Sequence, residues 1–198
     1  MKTTIKLLLL VILVVPVARG QNPLVAGVAP TFEVGGGYSY VNTSVPSESR
    51  LGMNGAFLTG NADFTRWFGI AADLGYVRNP DAFSARHSAD ILTYMAGPVF
   101  YPVRKRNMNV YTRVLLGGAR ETGVNFEHDG DLLLGYTNKF AWAVGGGVEY
   151  RLSRSFAARG GADFLHTSFF SPSITVQGQT GIRATVGLIY NFGEGHEK

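Results

Sequence analysis

The sequence predicts an all-β fold, an eight-stranded antiparallel up-and-down transmembrane β-barrel, and three observations carry that expectation. Hydrophobicity alternates with period two in segments of about ten residues, the repeat expected of strands that cross a membrane. The connections between those segments alternate between long and short, as barrels with long outer loops and tight periplasmic turns require. Beyond the first 20 residues no apolar stretch approaches the ~20 residues a membrane helix needs, which leaves a closed barrel as the way across.

Residues 1–20 carry Lys2 and Lys6, run apolar from Leu7 to Val17 and end in Ala18, Arg19 and Gly20. A basic start, a short apolar core and small residues at the end form a secretory signal peptide, so the domain proper is expected over 21–198. Loss of the leader takes Lys2, Lys6 and Arg19 from the 18 basic residues and none of the 14 acids, leaving 15 against 14. The mature chain is therefore near neutral and offers no electrostatic footprint for nucleic acid. Arg104, Lys105 and Arg106 form its one basic triplet, read here as a solvated turn. With no cysteine in the chain, disulfide scaffolds, thiolate zinc sites and cysteine nucleophiles are excluded.

Eight strands are expected at 31–41, 54–65, 68–78, 90–101, 109–120, 138–151, 155–165 and 179–192. The first three put Phe32, Val34, Tyr38 and Tyr40, then Ala56, Leu58, Ala62 and Phe64, then Ile70, Ala72, Leu74 and Tyr76 on one face. The next three do the same with Leu92, Tyr94, Ala96 and Phe100, with Val110, Val114 and Leu116, and with Phe140, Trp142, Val144, Val148 and Tyr150. Phe156, Ala158, Ala162 and Phe164 follow, and the last strand alternates most cleanly from Ile182 to Phe192. The long connections fall at 42–53, 79–89, 121–137 and 166–178, and an even strand number leaves both termini on the periplasmic side.

The opposite face carries small residues with the charges Glu33, Asp63, Asp73, Arg113, Glu149, Arg159, Asp163 and Arg183. The interior of an eight-stranded barrel is just wide enough for side chains to fill. A small-residue lining with scattered charges fits that space, whereas the aromatic face would overfill it, so the apolar face is expected outward, toward lipid. The aromatics also sort by strand end into two girdles, at the level where amphipathic rings favour the membrane interface. A lone ion in so narrow a lumen is costly, so the inward charges should pair. Antiparallel pairing brings Glu149 near Arg159, and Arg183 is expected to reach Asp163 or Glu33. A network of this kind would fill and stiffen the lumen.

At Phe32-Glu33-Val34-Gly35-Gly36-Gly37-Tyr38-Ser39-Tyr40, at Arg66-Trp67-Phe68-Gly69-Ile70 with Asp73 following, and at Gly145-Gly146-Gly147-Val148-Glu149-Tyr150, the chain resembles the OmpA-like outer-membrane β-barrel domain family. The resemblance covers residues 30–192. It implies a monomeric barrel inserted by the outer-membrane barrel-assembly machinery, with Tyr190 and Phe192 in Tyr190-Asn191-Phe192 as the assembly signal. Six residues, Gly193 to Lys198, follow that aromatic end, and the peptidoglycan-binding domain that follows some such barrels has no room here.

Two other motifs suggest chemistry. His166-Thr167-Ser168 places a base two residues from a hydroxyl, the pattern of a barrel hydrolase acting on lipid A, but Gln179 and Thr180 stand where an orienting acid would be needed. Glu127-His128-Asp129 with Asp131 has hard-cation ligands, yet fits an ordinary acidic outer loop better. The expectation is therefore no enzyme, no metal and no cofactor. It is an outer-membrane protein in contact with lipid, with a structural or surface-interaction role, a narrow pore for small solutes or a membrane-embedded lipid A hydrolase being the alternatives. An extracellular partner would be met through the long loops, by Phe83 in the run 79–87 or by Phe169, Phe170 and Ile174.

Overall fold

The computed structural model describes residues 31–45, 48–82, 87–126, 132–167 and 179–192. Eight strands run in order: β1 (Thr31–Val45), β2 (Glu48–Asp63), β3 (Phe68–Ala82), β4 (His87–Arg104), β5 (Met108–Phe126), β6 (Leu132–Arg151), β7 (Phe156–Thr167) and β8 (Gln179–Asn191). Each pairs antiparallel with the next, and β1 returns to β8 from Glu33↔Asn191 to Thr43↔Gly181, closing the barrel. The fold class expected from the sequence is the fold observed. Closure leaves no sheet edge, so every strand's backbone groups can be satisfied inside an apolar medium.

The strands are longer than expected, and the difference lies almost wholly at one end. Hydrogen bonding between β5 and β6 continues to Phe126↔Leu132, well past residue 120. The expected loops at 42–53, 79–89 and 121–137 are therefore largely strand, with only 46–47, 83–86 and 127–131 between strands and outside the described residues. Toward that end the hydrophobic alternation of the sequence fades while the ladder goes on, with Thr43, Met53, Ala89 and Glu121 still buried on the inner face.

The faces have the polarity of a membrane barrel. Leu58, Leu116 and Val186 are 52%, 55% and 60% exposed, whereas Met53 and Leu115, on the other face, are fully buried at 0%. Near the short turns the exposed face carries Phe32, Phe64, Trp67, Phe100, Tyr150, Phe156 and Phe192, with Trp67 stacked on Phe100 at 6.4 Å between ring centroids. Tyr76, Tyr94, Phe140 and Phe164 do the same toward the other end.

One irregularity changes what faces inward. Phe100 pairs with Thr112 but Val103 with Val110, so Tyr101 and Pro102 together oppose the single residue Tyr111. Proline has no N–H for the ladder and is tolerated at such a bulge. The extra residue reverses the alternation for the rest of β4, which turns Arg104 into the lumen beside Asn109. Arg104 is therefore no part of a solvated turn; only Lys105 and Arg106 are exposed there.

Candidate functional site

The lumen holds two tiers of ion-paired side chains. The central tier is built by Asp73 on β3, Arg113 on β5, Asp163 on β7 and Arg183 on β8. Arg113 donates from Nε and Nη2 to the two oxygens of Asp163, at 3.0 and 2.8 Å, and from Nη1 to Asp73 at 3.2 Å. Arg183 donates from Nε and Nη2 to Asp163 Oδ2, at 3.0 and 2.8 Å, and from Nη1 to Asp73 Oδ1 at 2.6 Å. All four side chains are 3% exposed or less. Two cations and two anions cancel, and each carboxylate is held by both guanidiniums, the multidentate geometry that offsets desolvation best.

The second tier lies toward the short turns. Arg159 donates to Glu149 from Nε at 2.9 Å and also from Nη2, and that Nη2 is 3.6 Å from Glu33. Asn61 donates to Glu33 at 3.2 Å and Asn109 to Glu149 at 3.2 Å, while Arg104 pairs with Asp63. The Arg104 guanidinium also sits 4.0 Å from the Tyr101 ring.

Tyr111 separates the tiers. Its ring has Arg159 at 4.7 Å and Arg113 at 5.8 Å, a cation near it from each tier. Gly161 makes room for it: a Cβ there would lie within the van der Waals shell of the Tyr111 hydroxyl. That hydroxyl is buried and has no hydrogen-bond partner. Tyr111→Phe should consequently change unfolding free energy by no more than about 1 kcal/mol, in either direction, in a urea titration of the folded barrel. A larger loss would mean that the hydroxyl holds a partner the geometry lacks.

Every one of the eight expected lumen charges is buried on the inner face. The structure brings Glu149 to Arg159 and Arg183 to Asp163. Arg183 does not reach Glu33, because Arg183 pairs in register with Val41, eight residues along β1. At ~3.3 Å per residue that is about 26 Å, far beyond an arginine side chain. Its second partner comes instead from Asp73, across the barrel. Arg104, Asn61, Asn109 and Tyr101 join the lower tier without having been expected there. Pro102 stands at the bulge, but Pro98 lies in the same strand in regular register, so a proline alone does not mark it. Glu121 is a further inward acid, 3% exposed near the outer mouth, with an Oε2 that accepts no hydrogen bond.

Above the central tier the lumen becomes apolar, lined by Val41, Val77, Ile91 and Leu165 around a cavity of about 20 Å³ that also touches Ser39, Thr93 and Arg183. A second cavity of about 20 Å³ lies at the short-turn mouth beside Glu33, Asn109 and Glu149. Each has room for about one water. At the end of the barrel, Tyr190 packs edge-on against Phe156 at 5.2 Å and Phe192 at 4.8 Å, and the Phe192 N–H donates to the Phe32 carbonyl at 2.8 Å.

The motifs weighed for catalysis or metal binding come together poorly. His166 stacks on Trp142 at 5.3 Å and stands opposite Thr180 on β8. Ser168, and Glu127, His128, Asp129 and Asp131, lie outside the described residues, as do Phe83, Phe169, Phe170 and Ile174. Among the described residues no group of three or more metal-ligating side chains forms.

A closed antiparallel barrel with an apolar outside, two aromatic girdles and an ion-paired inside is a membrane-spanning β-barrel. The chain matches the outer membrane protein β-barrel domain family over residues 7–192 and belongs to that family, which places it in the outer membrane. No curated protein matches it closely. Among solved structures it is similar to Neisserial surface protein A, at 13% identity and a TM-score of 0.63, over 81% of this chain and 97% of that one. It is also similar to Ail, the attachment invasion locus protein of Yersinia pestis, at 15% identity and a TM-score of 0.59, over 83% of this chain and all of that one. OprG from Pseudomonas aeruginosa follows at 15% identity and a TM-score of 0.50, over 83% and 96% of the two chains. At these identities the likeness is one of fold.

Proposed function

We propose that this outer-membrane barrel is sealed by its lumen charges and serves a structural or surface-interaction role. The observation that carries the reading is the central tier, where Arg183 bonds from β8 across the lumen to Asp73 on β3 while Arg113 bonds from β5 to Asp163 on β7. Four side chains thus cross an interior that eight strands leave barely wide enough for side chains. Solute passage would require both aspartates to exchange partners at once. The lower tier and the Tyr111 ring add a second obstruction on the same axis.

The expected result in planar-bilayer recording of the purified, folded chain is an absence of sustained conductance steps. Steady stepwise conductance would sink the sealed reading and put a narrow pore in its place. A non-enzymatic role is supported by His166, whose ring stacks on Trp142 in the outer girdle and faces Thr180 rather than an acid. Lipid A deacylation that is lost in Ser168→Ala would overturn that part.

Three further parts of the reading concern biogenesis and partners. Residues 1–20 are a signal peptide removed on export, and the mass of the mature protein checks this. Tyr190 and Phe192 present the aromatic end of β8 to the barrel-assembly machinery, and the barrel acts as a monomer. Its outer connections meet whatever extracellular partner it has.

A further inference from the structure

We infer that the short-turn end of the barrel is a binding surface for anionic phospholipid headgroups. The three short turns, with the strand ends beside them, present Arg66, Lys105, Arg106, Arg151 and Arg154, all exposed. Residues 64–67, 105–107 and 152–155, which make those turns, include no acid. The acids closest in sequence, Asp63 and Glu149, are turned into the lumen and paired with Arg104 and Arg159. Among the described residues none of the five cations is in an ion pair, so their charge is free to meet a partner.

The backbone of the turns that carry the cations is tied by hydrogen bonds. Lys105 N–H donates to the Met108 carbonyl at 2.9 Å, and Leu152 and Ser153 N–H both donate to the Phe156 carbonyl, at 2.9 and 3.0 Å. The turns are also tied to neighbouring strand ends, Arg151 N–H to the Asn107 carbonyl at 2.9 Å and Asn191 N–H to the Ser155 carbonyl at 2.9 Å. Little ordering of the backbone is then needed when a ligand binds.

Position selects the partner. Trp67 and Leu152 stand on the same turns as the cations and are 61% and 59% exposed. An aromatic or apolar side chain beside a basic one suits the membrane interface, where the first enters the acyl boundary and the second meets phosphate. A cell-wall polymer would meet the charges but has no use for Trp67 and Leu152 pointed outward. The chemistry is that of phosphatidylglycerol or another phospholipid with net negative charge in the periplasmic leaflet, since short turns face the periplasm in such barrels. The inference rests on that orientation and on the membrane placement, not on the sealed lumen.

The test compares the full chain with a variant carrying Arg66→Gln, Lys105→Gln, Arg106→Gln, Arg151→Gln and Arg154→Gln. Both are folded into phosphatidylcholine vesicles with or without phosphatidylglycerol, with the heat-modifiable gel band reporting the barrel. Spin-labelled lipids then read the preference of the protein for phosphatidylglycerol over phosphatidylcholine. One cation at an anionic surface changes affinity by about fivefold, so the natural chain should show at least that preference at low salt. High salt should weaken it and the variant should lose most of it. Arg66→Gln with Arg154→Gln, which leaves three cations, should fall between.

A natural chain without preference, or a variant that keeps it, would overturn the inference. So would sedimentation with peptidoglycan that needs the five cations while lipid preference does not. Ser153→Cys should resist an impermeant maleimide in intact cells; labelling there would overturn the orientation, and the leaflet with it, independently of the lipid result.

Discussion

Arg183→Met is expected to destabilise the folded barrel by about 3–5 kcal/mol, because it leaves a buried anion without its cation. Arg183 makes three of the six hydrogen bonds of the central tier, and its side chain is 2% exposed. Without it Arg113 alone faces both Asp73 and Asp163, and one negative charge stays uncompensated among side chains that are 3% exposed or less. The loss should show in urea unfolding of the protein in vesicles, followed by the compact unboiled gel band. Because the charge is buried, added salt should recover little of it.

Adding Asp73→Asn to Arg183→Met restores balance, one arginine to one aspartate, and should recover a large part of the loss. Non-additivity is the signature of residues in one network. A loss below about 1 kcal/mol for Arg183→Met, or no recovery in the double variant, would show that the tier is not what holds this region together.

Gly37→Val is expected to be at least as damaging, through sterics rather than charge. Gly37 on β1 pairs with Gly187 on β8, at the seam where the barrel closes. A Cβ on Gly37 would sit 2.9 Å from the Val186 carbonyl carbon and closer still to its oxygen. The obstacle is backbone, which cannot rotate away as a side chain would. Overpacking typically costs about 1–3 kcal/mol when side chains can shift, and here the only relief is to part the two strands.

The variant should therefore yield little or none of the compact gel form. Gly160→Ala is the matched control: it lies on the outer face of β7, where an added Cβ meets nothing within 4 Å. That change should be neutral or stabilising by up to about 1 kcal/mol through a less flexible unfolded chain. Equal folding yields for Gly37→Val and the natural chain would refute the close-approach argument.

The part of the fold legible in the sequence is the part governed by contact with lipid. From Ile182 to Phe192 every even position is apolar and only Ile189 interrupts the polar or small residues between them, so β8 and its outward face could be read directly. Toward the outer ends that signal fades, which is why the ladder from Gly123 to Phe126 and from Leu132 to Gly135 was hidden. Arg104 was hidden for a different reason. Its parity in the sequence points outward, and only the bulge at Tyr101 and Pro102 turns it in.

The sequence by itself determined the strand number, the closed antiparallel order, the inside and outside faces and the eight charges that line the lumen. These follow from local alternation, because each side chain's preference for lipid or interior acts at its own position. Two pairs between neighbouring strands, Glu149 with Arg159 and Arg183 with Asp163, could also be read from antiparallel order, but only the tertiary structure decided the pairings across the lumen. Asp73 meets Arg183 from three strands away around the barrel, and the shear of the closed sheet sets that meeting rather than any spacing along the chain. Which ion answers which depends on strand register and barrel width together, quantities that no single segment carries.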